Sequence, residues 1–157
     1  MVAITRAKSG DMPSVKSLFL EYAGSLGFDL SFQDFNRELA ELPGEYSEPA
    51  GCILIAEADA TIFGCVALRN FSGKACEMKR LYVQPAFRGR GAGRRLAESI
   101  ILEAKVRGYR HMKLDTVASM REAIQLYESL GFKQIAPYRH NPLEGAVFMQ
   151  LELEANH

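Results

Sequence analysis

The chain has 157 residues, of which 48% are hydrophobic and 24% are charged, and its formal net charge is zero. This length and composition predict a single globular domain over residues 1–157, with enough apolar sequence for a real core. The balanced charge argues against a role at nucleic acid or at a membrane surface, because both need a net basic face.

The cysteines and the apolar runs limit the chemistry further. Cys52, Cys65 and Cys76 match neither a zinc spacing nor a disulfide framework. We therefore interpret them as small buried hydrophobic residues in a reducing compartment, and we expect no metal site. The sequence has no long apolar run and no secretory leader, which predicts a soluble cytoplasmic protein.

The first half of the chain has the pattern β, α, α, β, β. Residues 2–6 predict a strand, and a helix with apolar residues at helical spacing begins after Asp11. A capping box at 31–34 predicts a second helix that ends near residue 42. Residues 52–57 and 61–69 then predict two strands of a hairpin.

The second half alternates strands and helices. The predicted order is a strand at 76–83, a helix at 91–107, a strand at 111–116, a helix at 120–131, and strands at 132–136 and 145–152. A helical crossover joins the first two of these strands, so they should lie parallel. The predicted fold class is mixed α/β: a mostly antiparallel sheet of about six to seven strands with one parallel pair, flanked by about four helices.

A glycine-rich turn between the strand at 76–83 and the next helix is typical of a phosphate site. Backbone N–H groups and the positive end of a helix converge there, and glycines leave room for a phosphate. The chain has no Gly-Lys-Ser or Gly-Lys-Thr, so a Walker loop is excluded, and Arg94 stands where a dinucleotide motif needs its third glycine. The pattern R-x-x-G-x-G is met by Arg88, Gly91 and Gly93. The alternative is a turn that merely joins strand to helix.

A second segment, Leu-Tyr-Glu-Ser-Leu-Gly-Phe at 126–132, closes the fourth predicted helix. Together with Leu-Tyr-Val-Gln-Pro and the glycine turn, it resembles the GNAT superfamily of acyl-CoA-dependent N-acyltransferases. The resemblance implies a GNAT-like fold and acetyl-CoA as the cofactor. The cofactor-binding residues that it implies are Leu81, Tyr82, Val83, Arg88, Gly89, Arg90, Gly91, Ala92, Gly93, Arg94 and Ser119. One departure is Met120, where many relatives carry an asparagine that contacts the cofactor, so either Ser119 replaces that contact or it is absent.

Two residues are candidates for proton transfer. By resemblance Tyr127 lies beside the thioester sulfur as general acid, and a phenol with a pKa near ~10 is nearly matched to a thiol at about 8.5. The alternative is a core tyrosine. Glu77 is the candidate general base, because strand alternation is expected to place it on one face with Lys79, Leu81 and Val83. The alternative is an ordinary surface glutamate.

Further polar residues could contact substrate. Asp115 and Thr116 lie at the end of the parallel strand, and Tyr138, His140 and Asn141 lie in a polar loop before the last strand. The predicted acceptor is a primary amine of a small molecule or a peptide, attacked directly in a ternary complex, and a homodimer is possible. Two other functions remain open: a non-catalytic acyl-CoA sensor, and a dinucleotide-binding oxidoreductase in which Asp115, about twenty residues beyond the turn, would bind ribose.

Overall fold

The computed structural model describes residues 1–26 and 34–153, and these contain seven strands and four α-helices. In chain order they are β1 (Ala3–Arg6), α1 (Met12–Leu26), α2 (Phe35–Glu41), β2 (Cys52–Ala58), β3 (Thr61–Ser72), β4 (Ala75–Val83), α3 (Ala92–Val106), β5 (His111–Val117), α4 (Arg121–Ser129), β6 (Lys133–Ile135) and β7 (Ala146–Glu152). Each predicted element is present, with ends shifted by a few residues. The first three positions of the predicted capping box, 31–33, lie outside the described residues.

All seven strands form one sheet in the order β1-β2-β3-β4-β5-β7-β6. Only β4 and β5 are parallel, and the other neighbours are antiparallel. This confirms the predicted mixed α/β class and the predicted parallel pair. No helix within residues 1–26 and 34–153 is long and apolar enough to cross a membrane.

The parallel pairing between β4 and β5 is short, and the two strands separate where it ends. Residues Ala75–Glu77 of β4 pair with His111–Lys113 of β5. Beyond this point β4 continues to pair with β3, and β5 continues to pair with β7. The two central strands therefore part at Glu77 and leave a gap that helices and loops line.

A β-bulge lies on β4 just after the parallel pairing ends. Cys65 pairs with Tyr82 and Ala67 pairs with Lys79, so that two β4 residues face the single residue Val66. Arg80 in this bulge has a φ of 62°, in the left-handed region that non-glycine residues rarely occupy. A bulge bends its strand and increases the local twist, which fits the departure of β4 from β5.

The bulge also shifts side chains between faces. Leu81 and Val83 pack with the core on the α3 side, together with Met78. Tyr82 belongs to the opposite core, on the α1 side. The prediction that Glu77, Lys79, Leu81 and Val83 share one face is therefore wrong, because the bulge adds one residue to the alternation.

Each face of the sheet has its own hydrophobic core. On one face α3 contributes Leu96, Ile100 and Ala104, all fully buried. On the other face α1 contributes Val15, Leu18 and Phe19, joined by residues of α2 and of the chain after it. The three cysteines are buried and free, which confirms their interpretation as small core residues.

A buried ion pair ties α2 to the bulge. Arg80 is 4% exposed and donates two hydrogen bonds to Glu38 of α2, from Nε and Nη2, each 2.9 Å long. Its guanidinium also lies 5.2 Å from the ring centre of Phe35 and 5.9 Å from that of Tyr22. A bidentate pair of this kind fixes both the distance and the orientation of α2 relative to the bulge.

We predict that Glu38→Gln destabilises the protein by about 3 kcal/mol, because it leaves a buried guanidinium without its counter-charge. The matched control is Glu41→Gln on the same helix, whose partner Arg37 and own side chain are 76% and 53% exposed. An exposed pair contributes under about 0.5 kcal/mol. Urea unfolding measures both variants, and equal losses would contradict a special role for the Arg80–Glu38 pair.

Candidate active site

A first cleft runs from the end of β4 across the glycine turn to the start of α4. Nine of the eleven predicted cofactor residues line it: Leu81, Tyr82, Val83, Arg88, Gly89, Gly91, Ala92, Gly93 and Ser119. The remaining lining includes Met120, which is noted above as the position of the asparagine of relatives. It also includes residues that the sequence interpretation missed, namely Tyr22, Ser25, Phe87, Arg121, Glu122, Ala123 and Leu126. Phe87 lies in the segment between β4 and α3, whereas the others come from α1 and α4, whose approach to the turn is a tertiary feature without a local sequence signal.

The glycine turn is open where a ligand would approach. Gly89 and Gly91 have φ values of 82° and 79°, so both need the left-handed conformation that glycine adopts without strain. A Cβ built on either one meets no heavy atom within 4 Å. Gly91 caps α3, whose first-turn N–H groups have no acceptor within the helix. The turn thus presents backbone donors and the positive end of a 15-residue helix to the cleft.

Of the arginines around the turn, Arg88 alone is part of the lining that the described residues form. Its Nε donates to the Val83 carbonyl at 2.9 Å, and its guanidinium lies 5.7 Å from the Tyr82 ring centre. Arg94 instead donates to Ser129 Oγ at 2.6 Å, and Arg90 lies over the Phe87 ring. The structure therefore does not bring Arg90 and Arg94 to the cleft with the other predicted residues.

A second, narrower cleft lies in the gap between β4 and β5. It shares Tyr22, Leu81, Met120 and Ala123 with the first cleft, so the two clefts adjoin. Tyr127 lines this second cleft and is 8% exposed, with its ring 5.7 Å from that of Phe132. Burial raises the pKa of Tyr127 above its ordinary value, so the hydroxyl keeps its proton at neutral pH.

Glu77 occupies a different environment from the one expected of a general base or of a surface glutamate. Its side chain is fully buried and lines neither cleft. Arg69 contacts its Oε1 from Nε at 2.9 Å and from Nη2 at 2.8 Å, while Arg139 contacts Oε2 at 2.6 Å and the Tyr138 hydroxyl donates to it at 2.7 Å. Burial acts to raise the pKa of Glu77, but the neighbouring cations outweigh it and hold the pKa below its usual value. A carboxylate with a lowered pKa and four polar contacts from three residues is a poor proton acceptor.

The other polar candidates divide between the second cleft and its surroundings. Asp115, Thr116 and Asn141 line the cleft. Asn141 Nδ2 donates to Asp115 Oδ2 at 3.1 Å, which links the polar loop to the end of β5. The Tyr138 hydroxyl donates a hydrogen bond to Glu77, and the side chain of His140 is exposed.

Comparisons with known proteins agree with this architecture. Residues 49–134 match the family described as "Acetyltransferase (GNAT) domain". The chain is 43% identical to an uncharacterised N-acetyltransferase of Schizosaccharomyces pombe, over 91% of this chain and 89% of that protein. It is 33% identical to the N-acetylaspartate synthetase of Homo sapiens, over 69% of this chain and 36% of that protein.

Solved structures show the same fold. A GNAT acetyltransferase from Staphylococcus aureus superposes with a TM-score of 0.80 at 18% identity, covering 98% of this chain and all of the other. A putative acetyltransferase from Salmonella typhimurium, solved with its cofactor acetyl-CoA, gives 0.70 at 22% identity, covering 100% and 96%. The chain belongs to the GNAT acetyltransferase family, and the predicted family, fold and enzyme class are confirmed.

We predict that Glu77→Gln costs about 3 kcal/mol of stability at pH 7, because it removes a buried charge that two partly buried arginines share. The pKa of Glu77 is lower in the folded state than its unfolded value of about 4.3. Its contribution is therefore fully present above that value and is lost as the pH falls through the folded pKa.

Urea unfolding of wild type and Glu77→Gln at pH 7, 5 and 4 should give a difference that shrinks toward acid. The control is Glu98→Gln, whose side chain is 53% exposed and lies 3.9 Å from Arg94, and it should change stability little at every pH. A Glu77→Gln loss that grows on acidification would contradict a lowered pKa.

Proposed function

We propose that this protein moves an acetyl group from acetyl-CoA to a primary amine by direct attack within a ternary complex. The observation that carries this proposal is that the two clefts adjoin and share four lining residues. One contains an open glycine turn at a helix N-terminus, and the other contains the buried phenol of Tyr127. A cofactor held at the turn by its phosphates could extend its thioester into the gap between β4 and β5.

The turn supports binding of the coenzyme A pyrophosphate. Uncovered glycines allow phosphate oxygens to approach the backbone N–H groups of Gly89–Gly93. Arg88 would add one cation, already oriented by the Val83 carbonyl. Met120 brings no amide to the cleft, so Ser119 is the polar side chain that we assign to the contact that relatives make through asparagine.

The part of β4 that has separated from β5 is suited to bind the pantetheine arm of the cofactor. Beyond Glu77 the side of β4 that faced β5 pairs with no strand among residues 1–26 and 34–153, so we expect its backbone groups near Leu81 and Val83 to be available to a ligand. An extended ligand can add to such an edge as a further strand, using main-chain hydrogen bonds. A backbone N–H at the end of this path would also stabilise the negative charge that develops on the thioester oxygen.

Tyr127 suits the role of general acid to the departing sulfur. Burial keeps its hydroxyl protonated. The same low-polarity surroundings raise the pKa of a thiol formed beside it, so the two pKa values rise together and proton transfer remains feasible. We assign a different role to Glu77. It holds the side chains of Arg69, Arg139 and Tyr138 in place beside the second cleft.

We predict that Tyr127→Phe lowers kcat about 100-fold while the affinity for acetyl-CoA changes little, because the hydroxyl acts at the bond-breaking step. The control is Tyr109→Phe, which removes another buried hydroxyl, one that donates to the Ala50 carbonyl at 2.6 Å away from both clefts. It should lower stability and leave kcat unchanged. An unchanged kcat in Tyr127→Phe across the pH range would remove the acid role.

We predict that Gly93→Leu weakens acetyl-CoA binding at least about tenfold. Gly93 lies in the first turn of α3 with ordinary helical backbone, and its built Cβ meets only Val83 Cγ2, at 3.9 Å. The variant should therefore fold while its side chain fills the cleft. Isothermal titration with acetyl-CoA measures the loss, and Gly10→Leu, where a Cβ meets nothing within 4 Å, is the control. Wild-type affinity in Gly93→Leu would place the pyrophosphate elsewhere.

Release of free CoA from acetyl-CoA with a panel of primary amines tests the enzymatic proposal against the two alternatives. An enzyme releases thiol only when a suitable amine is present. A sensor would bind acetyl-CoA without turnover, and an oxidoreductase would bind NAD instead. The relative named N-acetylaspartate synthetase supports including amines of small carboxylic acids in the panel.

A further inference from the structure

The second cleft contains one carboxylate among residues 1–26 and 34–153, that of Asp115 on β5. An alkylamine has a pKa of about 10.4, so the acceptor is an ammonium ion at neutral pH and must lose a proton before its nitrogen can attack. A carboxylate that lines the cleft can bind this ammonium group and accept the proton, directly or through one water. Glu77 lies outside both clefts as the described residues form them.

Asp115 and Tyr127 approach the second cleft from opposite faces of the sheet. Leu114 packs with the core on the α3 side, which also contains Tyr127. β5 pairs with β7 in unbroken register from His111 to Val117, so side chains alternate along it and Asp115 points to the α1 side. An amine that enters from the α1 side therefore meets Asp115, and a thioester sulfur on the other side meets Tyr127.

The loop before β7 holds Asp115 in one orientation. Its Oδ2 accepts a hydrogen bond from Asn141 Nδ2 at 3.1 Å, and Asn141 Oδ1 accepts one from the Leu143 N–H at 3.0 Å. The backbone donor determines which end of the amide faces Asp115. A carboxylate has about four lone-pair sites, so this hydrogen bond orients Asp115 and leaves capacity for an ammonium group.

Two cations line the second cleft together with Asp115. Arg80 donates two hydrogen bonds to Glu38. Lys79 is 5% exposed, and burial, followed by the charge of Arg80, lowers its pKa to about 7, whereas Glu77 and, less strongly, Asp115 act to raise it. Lys79 is therefore a second group of this cleft that can exchange a proton near neutral pH, and its variant belongs in the test.

Three phenols also surround this site. Tyr22 of α1 and Tyr127 of α4 line the cleft, and the charge of Asp115 acts to raise the pKa of Tyr138 in the loop before β7. Burial is the main cause that raises the pKa of all three phenols, so they keep their protons at neutral pH. None of the three competes with Asp115 for the ammonium proton.

Resting on the acetyl transfer proposed above, we propose that Asp115 is the general base of the reaction and that Asn141 is its positioning residue. The acceptor binds as an ammonium ion, and Asp115 takes one proton from it. The nitrogen lone pair then attacks the thioester carbonyl, so a C–N bond forms and the C–S bond breaks with its electrons on sulfur. The proton on Asp115 passes to solvent, and the second proton lost by the nitrogen ends on the CoA sulfur by way of Tyr127.

The dependence of kcat/KM on pH distinguishes a base from a structural carboxylate. The probe is the alkylamine of the panel that turns over fastest, whose neutral fraction rises about tenfold per pH unit below its pKa. Wild type uses the ammonium form, so its kcat/KM should change little between pH 7 and 9. Asp115→Asn has to capture the rare neutral amine, so its kcat/KM should be about 100-fold lower at pH 7 and rise about tenfold per unit. Thiol release from saturating acetyl-CoA measures both, with the whole protein.

Four further variants assign the effect. Asp59→Asn, in the exposed turn between β2 and β3, is the matched control and should keep the wild-type profile. Asn141→Asp places a second carboxylate beside Asp115 and disfavours its ionised form, so the acid limb of kcat/KM should move to higher pH. Lys79→Met and Glu77→Gln should keep the wild-type dependence on pH, whatever their rates. Isothermal titration should show unchanged acetyl-CoA affinity in Asp115→Asn.

The outcomes separate this assignment from acetyl transfer itself. A ratio of wild type to Asp115→Asn that stays constant from pH 7 to 9 overturns the assignment. It is equally overturned if the tenfold slope occurs in Lys79→Met or Glu77→Gln and not in Asp115→Asn. If Asp115→Asn does not fold, a wild-type kcat/KM that rises about tenfold per unit overturns it, and a flat profile with a shifted acid limb in Asn141→Asp supports it. An absence of thiol release with every amine contradicts acetyl transfer.

Discussion

The separation of β4 from β5 is the constraint on which the candidate site depends. Two parallel strands in the middle of a sheet ordinarily pair along their whole length, which would leave no space between them. Here the pairing stops after three residues, and the Arg80 bulge follows at once. Tyr127 of α4 lines the gap that results. One edge of β4 is also left available to a ligand. Without the bulge, the two clefts would lack their common wall.

Buried charges hold this opening in shape. Arg80 and Glu38 fasten α2 to the bulge, while Glu77 with Arg69 and Arg139 fastens the chain after β6 to the point where the strands part. Charges removed from water are expensive unless they are paired with good geometry, and these pairs have distances between 2.6 and 2.9 Å. The family likeness explains the overall fold, and these ion pairs explain how this chain orients the segments around the gap between β4 and β5.

The order and type of the strands and helices could be predicted well from the sequence, because the signals for each element are local. Each strand and helix has its own periodicity, Gly108 and Gly131 follow the ends of helices, and the glycine turn at Gly89–Gly93 has a pattern of its own. The parallel pair followed from a helical crossover, which has few topological alternatives. The candidate cofactor residues mostly came together because they lie in one continuous segment.

The features that the sequence did not show share a physical origin in tertiary structure. Alternation along β4 was counted without the bulge, and nothing in the sequence around Arg80 marks a residue with positive φ. The base role of Glu77 stays a prediction, and the arginines that enclose it could not be foreseen because they come from β3 and from a distant loop. Arg94 was assigned to the cofactor because its neighbours suggested it, although Ser129 of α4 takes its guanidinium. Long-range partners of this kind cannot be derived from spacing within one segment.

Thermal unfolding with acetyl-CoA, and with NAD as the matched control, tests most directly whether this opening is a coenzyme A site. A ligand at about 100 times its Kd adds about 2.7 kcal/mol to stability, or about 5–10 °C in Tm for a domain of this size. We expect a shift of this size with acetyl-CoA and none with NAD. A shift with NAD alone, or no shift with acetyl-CoA, would contradict the assignment of the glycine turn and the parted strands to an acetyl donor.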